Sequence, residues 1–161
     1  MSEELQLESI GDRWAAAWTE ADRQGFAELC SADVHYEDPV TTEPLAGAQS
    51  LADHAEQLVQ AFPDIRVERT GPRIATGSYA CLPWRFLGTH KGDLGALPAT
   101  GRFLTLQGLH YVELADGRIR RARGFFDLYA AGIQLGLIPE RGSLGETAVL
   151  LVRGFGVRPR G

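Results

Sequence analysis

The apolar residues of this chain change their period once, near Pro63, and that single change rules out most folds. Before it they recur at helical spacing. Ile10, Trp14, Ala17, Trp18 and Ala21 form one stripe at i, i+4, i+7, i+8 and i+11. Asp22 stands where it can cap the next turn, whose apolar residues are Phe26, Leu29 and Cys30. A third helix is expected over residues 50–62, with Leu51, Ala55, Leu58 and Phe62 inward and Pro63 as its stop. From Ile65 onward the period is two, and strands are expected over residues 65–73, 78–90, 102–114 and 118–127. Ala115-Asp116-Gly117 reads as a hairpin turn, with glycine supplying a positive φ. A short strand over residues 34–38, stopped by Pro39, precedes the third helix. Helices first and long strands afterwards predict an α+β fold, with the helices packed on one face of an antiparallel sheet.

At 161 residues and 44% hydrophobic, the chain is expected to form one domain around a single core. That domain is placed at residues 1–139, with 140–161 as a partly ordered C-terminal extension. Within the extension, residues 146–155 suit one more short helix or strand, and the basic, glycine-rich end is expected to fray. A net charge of −5 gives no electrostatic help toward nucleic acid or an anionic membrane, so neither is expected as a partner. The first residues lack the basic and apolar regions of a signal peptide. The longest fully apolar run, residues 148–152, is far short of the roughly 20 needed to cross a bilayer. Cys30 and Cys81 have no metal-binding spacing and are expected to be reduced, which suggests a cytoplasmic chain. Residues 92–101 are long and glycine-rich but lack the Gly-Lys-Ser/Thr of a phosphate loop, and read as a hairpin loop near a pocket mouth.

One carboxylate stands out. Asp38 closes a strand roofed by aromatic helices, a place where burial can raise an aspartate from its reference pKa of about 3.9 toward useful basicity. Alternation puts Tyr36 on the same side as Asp38 and turns His35 and Glu37 away. The competing reading is a turn, because an aspartate before proline commonly starts one. His35, His54, His90 and His110 show no ligand spacing, so neither a metal nor any other cofactor is expected.

The segment from Arg13 to Pro44 resembles the N-terminal third of bacterial ketosteroid isomerases, and Asp38 falls on the catalytic base of that family. The wider chain, about 10–139, is more similar to the SnoaL-like polyketide cyclases of the nuclear-transport-factor-2-like superfamily. That likeness rests on Ala61-Phe62-Pro63-Asp64, Gly88-Thr89-His90, Pro98-Ala99-Thr100-Gly101-Arg102, Asp116-Gly117-Arg118-Ile119 and Gln134-Leu135-Gly136-Leu137. It implies a cone-shaped sheet around a small-molecule pocket, with the three N-terminal helices on the concave face.

The chain also departs from both patterns. Where the isomerases polarise a carbonyl with a tyrosine and a protonated aspartate, the oxyanion hole of ketosteroid isomerase, this chain has Trp14 and a position at or beside Leu109. Losing one such donor typically costs ~10²–10³ in rate. The cyclases carry a His-Trp-Asp triplet on the last strand. Aligned on Asp116-Gly117, the triplet falls on Ala122-Arg123-Gly124, which removes the carboxylate and leaves room at Gly124. Aligned on the strand's end, Phe125-Phe126-Asp127 takes its place and Asp127 supplies the acid. A second cyclase histidine matches His110, a candidate acid, base or hydrogen-bond donor.

Other residues have both a functional and a structural reading. His54, on the apolar stripe of the third helix, reads as a partly buried structural residue, and His90 as a strand-end residue near solvent. Arg118, Arg120, Arg121 and Arg123 form a basic strand: either Arg118 and Arg120 or Arg121 and Arg123 face the pocket, where arginine suits a substrate carboxylate. The alternative is surface pairing with acids such as Glu113. Trp14, Trp18, Trp84, Phe86 and Phe125 suit an apolar pocket or simply a core.

The chain therefore reads as a cofactor-independent enzyme performing proton transfer next to a carbonyl, of cyclase or isomerase type, on an apolar polyketide- or terpenoid-like substrate. Asp38 is the expected base and His110 the polariser, with Asp127 in reserve. Trp14, Trp18, Tyr36, Trp84, Phe86, Arg123 and Gly124 are the expected substrate contacts. A non-catalytic binding module and a structural dimer with a vestigial pocket are the alternatives. A homodimer through the bare sheet face is expected, formed by residues such as Leu104, Leu106 and Val112 or their neighbours.

Overall fold

A computed structural model describes residues 3–155 of the chain. Three helices come first: α1 (Glu3–Glu20), α2 (Arg23–Leu29) and, after two strands, α3 (Gly47–Ala61). The strands are β1 (Cys30–Glu37), β2 (Leu45–Ala46), β3 (Arg66–Arg69), β4 (Ile74–Thr76), β5 (Tyr79–Thr89), β6 (Phe103–Ala115) and β7 (Arg118–Phe126). Two more helices follow, α4 (Leu128–Gln134) and α5 (Leu144–Val152). All seven strands form one open sheet in the order β2-β1-β7-β6-β5-β3, with β4 also on β5. This is the expected α+β architecture.

One pairing corrects the expectation of a wholly antiparallel sheet. β1 lies parallel to β7, with Tyr36 opposite Ala122 and Glu37 opposite Arg123. A parallel neighbour needs a long crossover rather than a hairpin, and everything from β2 to β6 supplies it. The first strand and the last are thereby brought side by side, which places the end of β1 next to the end of β7.

The expected strand over 65–73 is in fact two short ones, and the break protects a proline. Pro83 sits in the middle of β5, opposite the gap between β3, whose pairing ends at Arg69 with Trp84, and β4, whose pairing starts at Ile74 with Cys81. Its missing N–H therefore interrupts no ladder on that edge. The β6–β7 turn has both Asp116 (φ 50) and Gly117 (φ 72) in the left-handed region, the geometry that matches strand twist in a two-residue hairpin. Asp22 occupies the N-cap position of α2, but its side chain makes no capping bond; its carbonyl accepts from the Phe26 amide, and Arg23 beside it pairs with Asp53 and Glu56 of α3.

α1, α2 and α3 pack on one face of the sheet through Ile10, Trp14, Ala17, Trp18, Phe26, Leu51 and Ala55, all buried. On β6, Leu104, Leu106 and Val112 face this interior, whereas Phe103, Leu109 and Tyr111 face out. The bare face of the sheet is thus formed by Phe103, Leu109 and Tyr111, the neighbours of Leu104, Leu106 and Val112. Asp64, after α3, accepts from the amide and hydroxyl of Thr89 at 2.7 Å each, tying the helix end to the end of β5. His90 is fully buried rather than solvated: it stacks on Phe62 and bonds Thr100. α5 is a helix, within the region expected to be helix or strand, and buries none of its residues. Of the fraying expected at the basic end, residues 156–161 lie outside the described residues.

Gly108 is the tightest point of the sheet. A Cβ there would collide with the Phe125 carbonyl oxygen and stand 2.6 Å from the Trp84 ring. Because the first obstacle is backbone, Gly108→Ala is expected to destabilise the fold by ~1–3 kcal/mol, read as a lower midpoint in urea unfolding with an unchanged slope.

Candidate active site

A cavity of about 410 Å3 lies between the inner sheet face, α3 and α4. Its wall is mostly apolar: Leu58, Phe62, Ile65 and Val67 from the α3–β3 region, Phe86, Leu104 and Leu106 from the sheet, and Ala131, Leu135 and Ile138 from the segment after β7. Trp18, Tyr36, Asp38, Trp84 and His110 also line it and carry its polar chemistry. Leu94 and Leu97 of the 92–101 loop complete the wall, in keeping with a loop at the pocket mouth.

Asp38 follows directly after β1, and the strand's alternation turns Tyr36 and Asp38 inward. Its side chain is only 4% exposed. The turn reading and the cavity reading both hold, one for each oxygen. Oδ1 accepts from the amides of Val40 (2.8 Å) and Thr41 (3.0 Å). Oδ2 accepts from the Tyr36 hydroxyl (2.8 Å) and contacts His54 Nε2 (3.1 Å). Burial alone pulls the carboxyl upward, but the hydrogen bond and charge of His54, with Tyr36 and the Val40 amide, outweigh it. The pKa therefore lies below its ordinary 3.8, opposite to the expected rise.

His110 points inward from β6 and Leu109 outward, so the histidine and not the isomerase position faces the cavity. The Trp14 indole N–H donates to His110 Nδ1 at 3.1 Å. An indole nitrogen can only donate, so Nδ1 must accept and the ring proton of neutral His110 sits on Nε2. That nitrogen lies 3.5 Å from the Tyr36 hydroxyl. Trp18 stacks on the imidazole at 5.7 Å and Trp84 lies at 5.4 Å. Burial drives the pKa of His110 down to about 3, against the opposing pull of the Asp38 charge. Tyr36, also buried and facing that charge, is pushed well above its ordinary 10.0. Asp38 and His110 are thus neighbours joined through one phenol, and both line the cavity.

Gly124 lies opposite His110 in the β6–β7 ladder. A Cβ at this position would stand 3.0 Å from Asp38 Cβ and 3.1 Å from the Tyr36 hydroxyl. The glycine leaves room, as expected, but the room is taken by this chain's own Tyr36 and Asp38. Trp14 lies behind the wall and reaches the cavity only through His110, while Trp18, Trp84 and Phe86 line it.

Two candidates lie elsewhere. Arg123 projects from the outer face, paired with Glu37 at 3.2 Å and resting over the Phe125 ring, because an inward Gly124 forces its neighbour outward. Asp127 is exposed and caps α4 by accepting from the Ala130 amide at 2.9 Å. Of the other arginines, Arg120 pairs with Glu113, the surface reading weighed for this strand. Two contributors escaped the sequence. His54 had a signal, since a polar residue on an apolar stripe needs a buried partner. α4 had one as well, in the spacing of Leu128, Ala131 and Leu135 after a capping aspartate. Among the described residues no group of three or more His, Cys, Asp or Glu could hold a metal, and no helix is long and apolar enough to cross a membrane.

The buried, neutral imidazole sets a pH signature. His110 takes up a proton at about its ordinary 6.5 when unfolded but only near 3 when folded. The unfolded state therefore binds more protons between these values, and stability falls as pH drops from 6.5 toward 3. Asp38 adds a later loss, as pH falls from its ordinary 3.8 through its lower folded value. His110→Gln is expected to flatten the 6.5-to-3 limb in a series of urea unfolding curves and leave the limb below it.

The family model for SnoaL-like polyketide cyclases matches residues 8–135. Aklanonic acid methyl ester cyclase DnrD of Streptomyces peucetius is 30% identical over 98 residues, which is 57% of this chain and 63% of that relative's length. A crystal structure from Jannaschia sp. CCS1, named for its likeness to SnoaL-like polyketide cyclases, superposes with a TM-score of 0.75 at 19% identity, covering 87% of this chain and 98% of the other. A protein of ketosteroid isomerase-like fold from Catenulispora acidiphila DSM 44928, crystallised with trimethylamine, gives a TM-score of 0.68 at 19% identity over 80% and 92% of the two chains. These structural likenesses speak for the fold alone.

Proposed function

This chain belongs to the SnoaL-like polyketide cyclase family, and from that premise we propose that it catalyses cofactor-independent proton transfer at a carbon beside a carbonyl of a largely apolar, polyketide-like substrate. The observation that carries the reading is a buried carboxylate and a phenol hydroxyl together at the polar end of an otherwise apolar cavity. Asp38 is the base. Its low pKa keeps it ionised at neutral pH and suits carbon acids already activated by carbonyl groups. Tyr36 stays protonated and can turn its hydroxyl from Asp38 toward the oxyanion forming on the substrate. His110, neutral with its proton on Nε2, supports that hydroxyl; it is a donor and not an acid or base. The name of the Streptomyces peucetius relative supports ring closure as the reaction type.

A second reading, a binding module, is favoured by one fact: both Asp38 oxygens are already doubly occupied and the wall shows the cavity almost no polar surface. Asp38→Asn separates the two. For an enzyme, turnover of an aromatic poly-β-ketone ester should fall ~10²–10⁴-fold, while quenching of tryptophan fluorescence by the same compound changes little. Binding without turnover in the wild-type chain would establish the module instead.

The chain also acts as a homodimer in this reading. Phe103, Leu109, Tyr111 and Phe125 leave a cross-strand apolar patch on the outer sheet face, with Tyr79 stacked on Tyr111. Leu109→Asp should convert the dimer to monomer in sedimentation equilibrium; a wild-type monomer at micromolar concentration would refute the assembly.

A further inference from the structure

We infer that His54 sets which carbon acids this site takes: its hydrogen bond to the Asp38 oxygen that Tyr36 also holds restricts the base to carbons lying between two carbonyl groups. The inference rests on Asp38 being the base. The two carboxylate oxygens are not equivalent. Oδ1 is held by the amides of Val40 and Thr41, which belong to the turn and stay with it. Oδ2 has two side-chain partners, the Tyr36 hydroxyl at 2.8 Å and His54 Nε2 at 3.1 Å. An ionised carboxylate can only accept, so Nε2 of His54 carries the proton between them. When Tyr36 turns to the substrate oxygen, Oδ2 is the oxygen set free. It then receives the substrate proton with one donor left on it, His54.

That last donor is held from several sides. The His54 ring stands on α3, edge-on to Trp18 at 6.0 Å and beside Tyr36 at 6.0 Å, and its side chain is 14% exposed. It does not line the cavity, so it acts on a substrate only through Asp38, as a positioning residue. The other groups around Asp38 are Tyr36 from β1, neutral His110 from β6 and Gly124 of β7, which has no side chain. Among the described residues no lysine or arginine pairs with Asp38. Asp53 and Glu56, which flank His54 on α3, are both paired with Arg23 of α2.

Proton transfer weakens this contact. The C–H bond breaks, its electron pair becomes the enolate, Tyr36 donates to the enolate oxygen, and the proton goes to Oδ2. His54 then donates to a neutral acid, and a hydrogen bond to an ion is roughly twice as strong as a neutral one. The transfer is uphill by that difference. Burial favours the neutral acid, but the hydrogen bond and charge of His54 are the largest effects opposing it, and the carboxyl lies below its ordinary 3.8. A carbon between two carbonyl groups yields an enolate stable enough to offset this cost; a carbon beside one does not. On the return step Oδ2 gives the proton back, so no co-reactant is needed.

The test compares two ketones of one skeleton, 1-tetralone and methyl 1-tetralone-2-carboxylate, whose C2 lies beside one carbonyl and between two. Exchange of the C2 hydrogen in D2O is followed by NMR. The wild-type chain should exceed the buffer rate with the keto ester and match it with 1-tetralone; Asp38→Asn should match it with both. His54→Phe keeps a ring against Trp18 and Tyr36 but has no N–H. It should exchange 1-tetralone at least about threefold faster than buffer. Its acid limb with the keto ester should move to higher pH, together with the 13C titration of the Asp38 carboxyl. His54→Gln, which keeps an N–H, should restore the wild-type preference and limb. In the wild-type chain 15N shifts should place a proton on Nε2 of His54, a readout that stands even if neither variant folds. His54→Phe behaving as wild type, His54→Gln behaving as His54→Phe, wild-type exchange of 1-tetralone above buffer, or a bare Nε2 overturns the selection and leaves Asp38 as base. A wild-type rate at buffer level with the keto ester, or Asp38→Asn equal to wild type, overturns the base and the selection with it.

Discussion

A carboxylate withdrawn from water must find its hydrogen bonds within the protein or give up its charge. Asp38 keeps its charge, and much of the surrounding architecture follows from how it does so. The turn after β1 offers two amides to one oxygen. β1 itself offers Tyr36 to the other, and α3 brings His54 to the same atom. The turn, the strand and the helix are thereby fixed to one another at a single side chain. β7 then passes close by, where a Cβ at position 124 would crowd Asp38 Cβ and the Tyr36 hydroxyl.

The same arrangement decides what each group can do. In the proposed reaction, a carboxylate so well supplied with donors would be a weak base that is always ionised, and its reactivity would depend on losing one of those donors as substrate enters. Tyr36 is the donor best placed to leave, because its hydroxyl rotates whereas the amides of Val40 and Thr41 do not. The entering substrate oxygen would take up the donor that Asp38 gives up. Activation of the base and stabilisation of the oxyanion would then be one movement of one hydrogen.

Much of this was legible in the sequence, and the gaps have physical causes. The change of period at Pro63 and the Asp116-Gly117 turn act locally, so the helices and long strands could be placed. Alternation put Tyr36 and Asp38 on one face for the same reason. The direction of the Asp38 pKa could not be read, because it depends on His54, which is distant along the chain and whose facing is set by how α3 packs on β1. Turn and cavity look like rivals at Asp38 in the sequence, though a carboxylate has two oxygens and can serve both. At the end of β7 the sequence allowed two alignments; inward-facing Gly124 removes Arg123 from the cavity, and a helix start claims Asp127. The parallel β1–β7 pair carries no local signal at all.

That parallel pair bears on how the protein comes to exist in the cell. β1 is made early, yet its partner β7 is the last of the described strands to leave the ribosome. Trp14 and His110, whose side chains meet, are 96 residues apart in the chain. Until β7 emerges, β1 has only the short β2 beside it, and its other edge stands open. Such long-range closure makes for slow folding. A translational pause or a truncation before Phe126 would therefore yield a sticky fragment and not a smaller working domain.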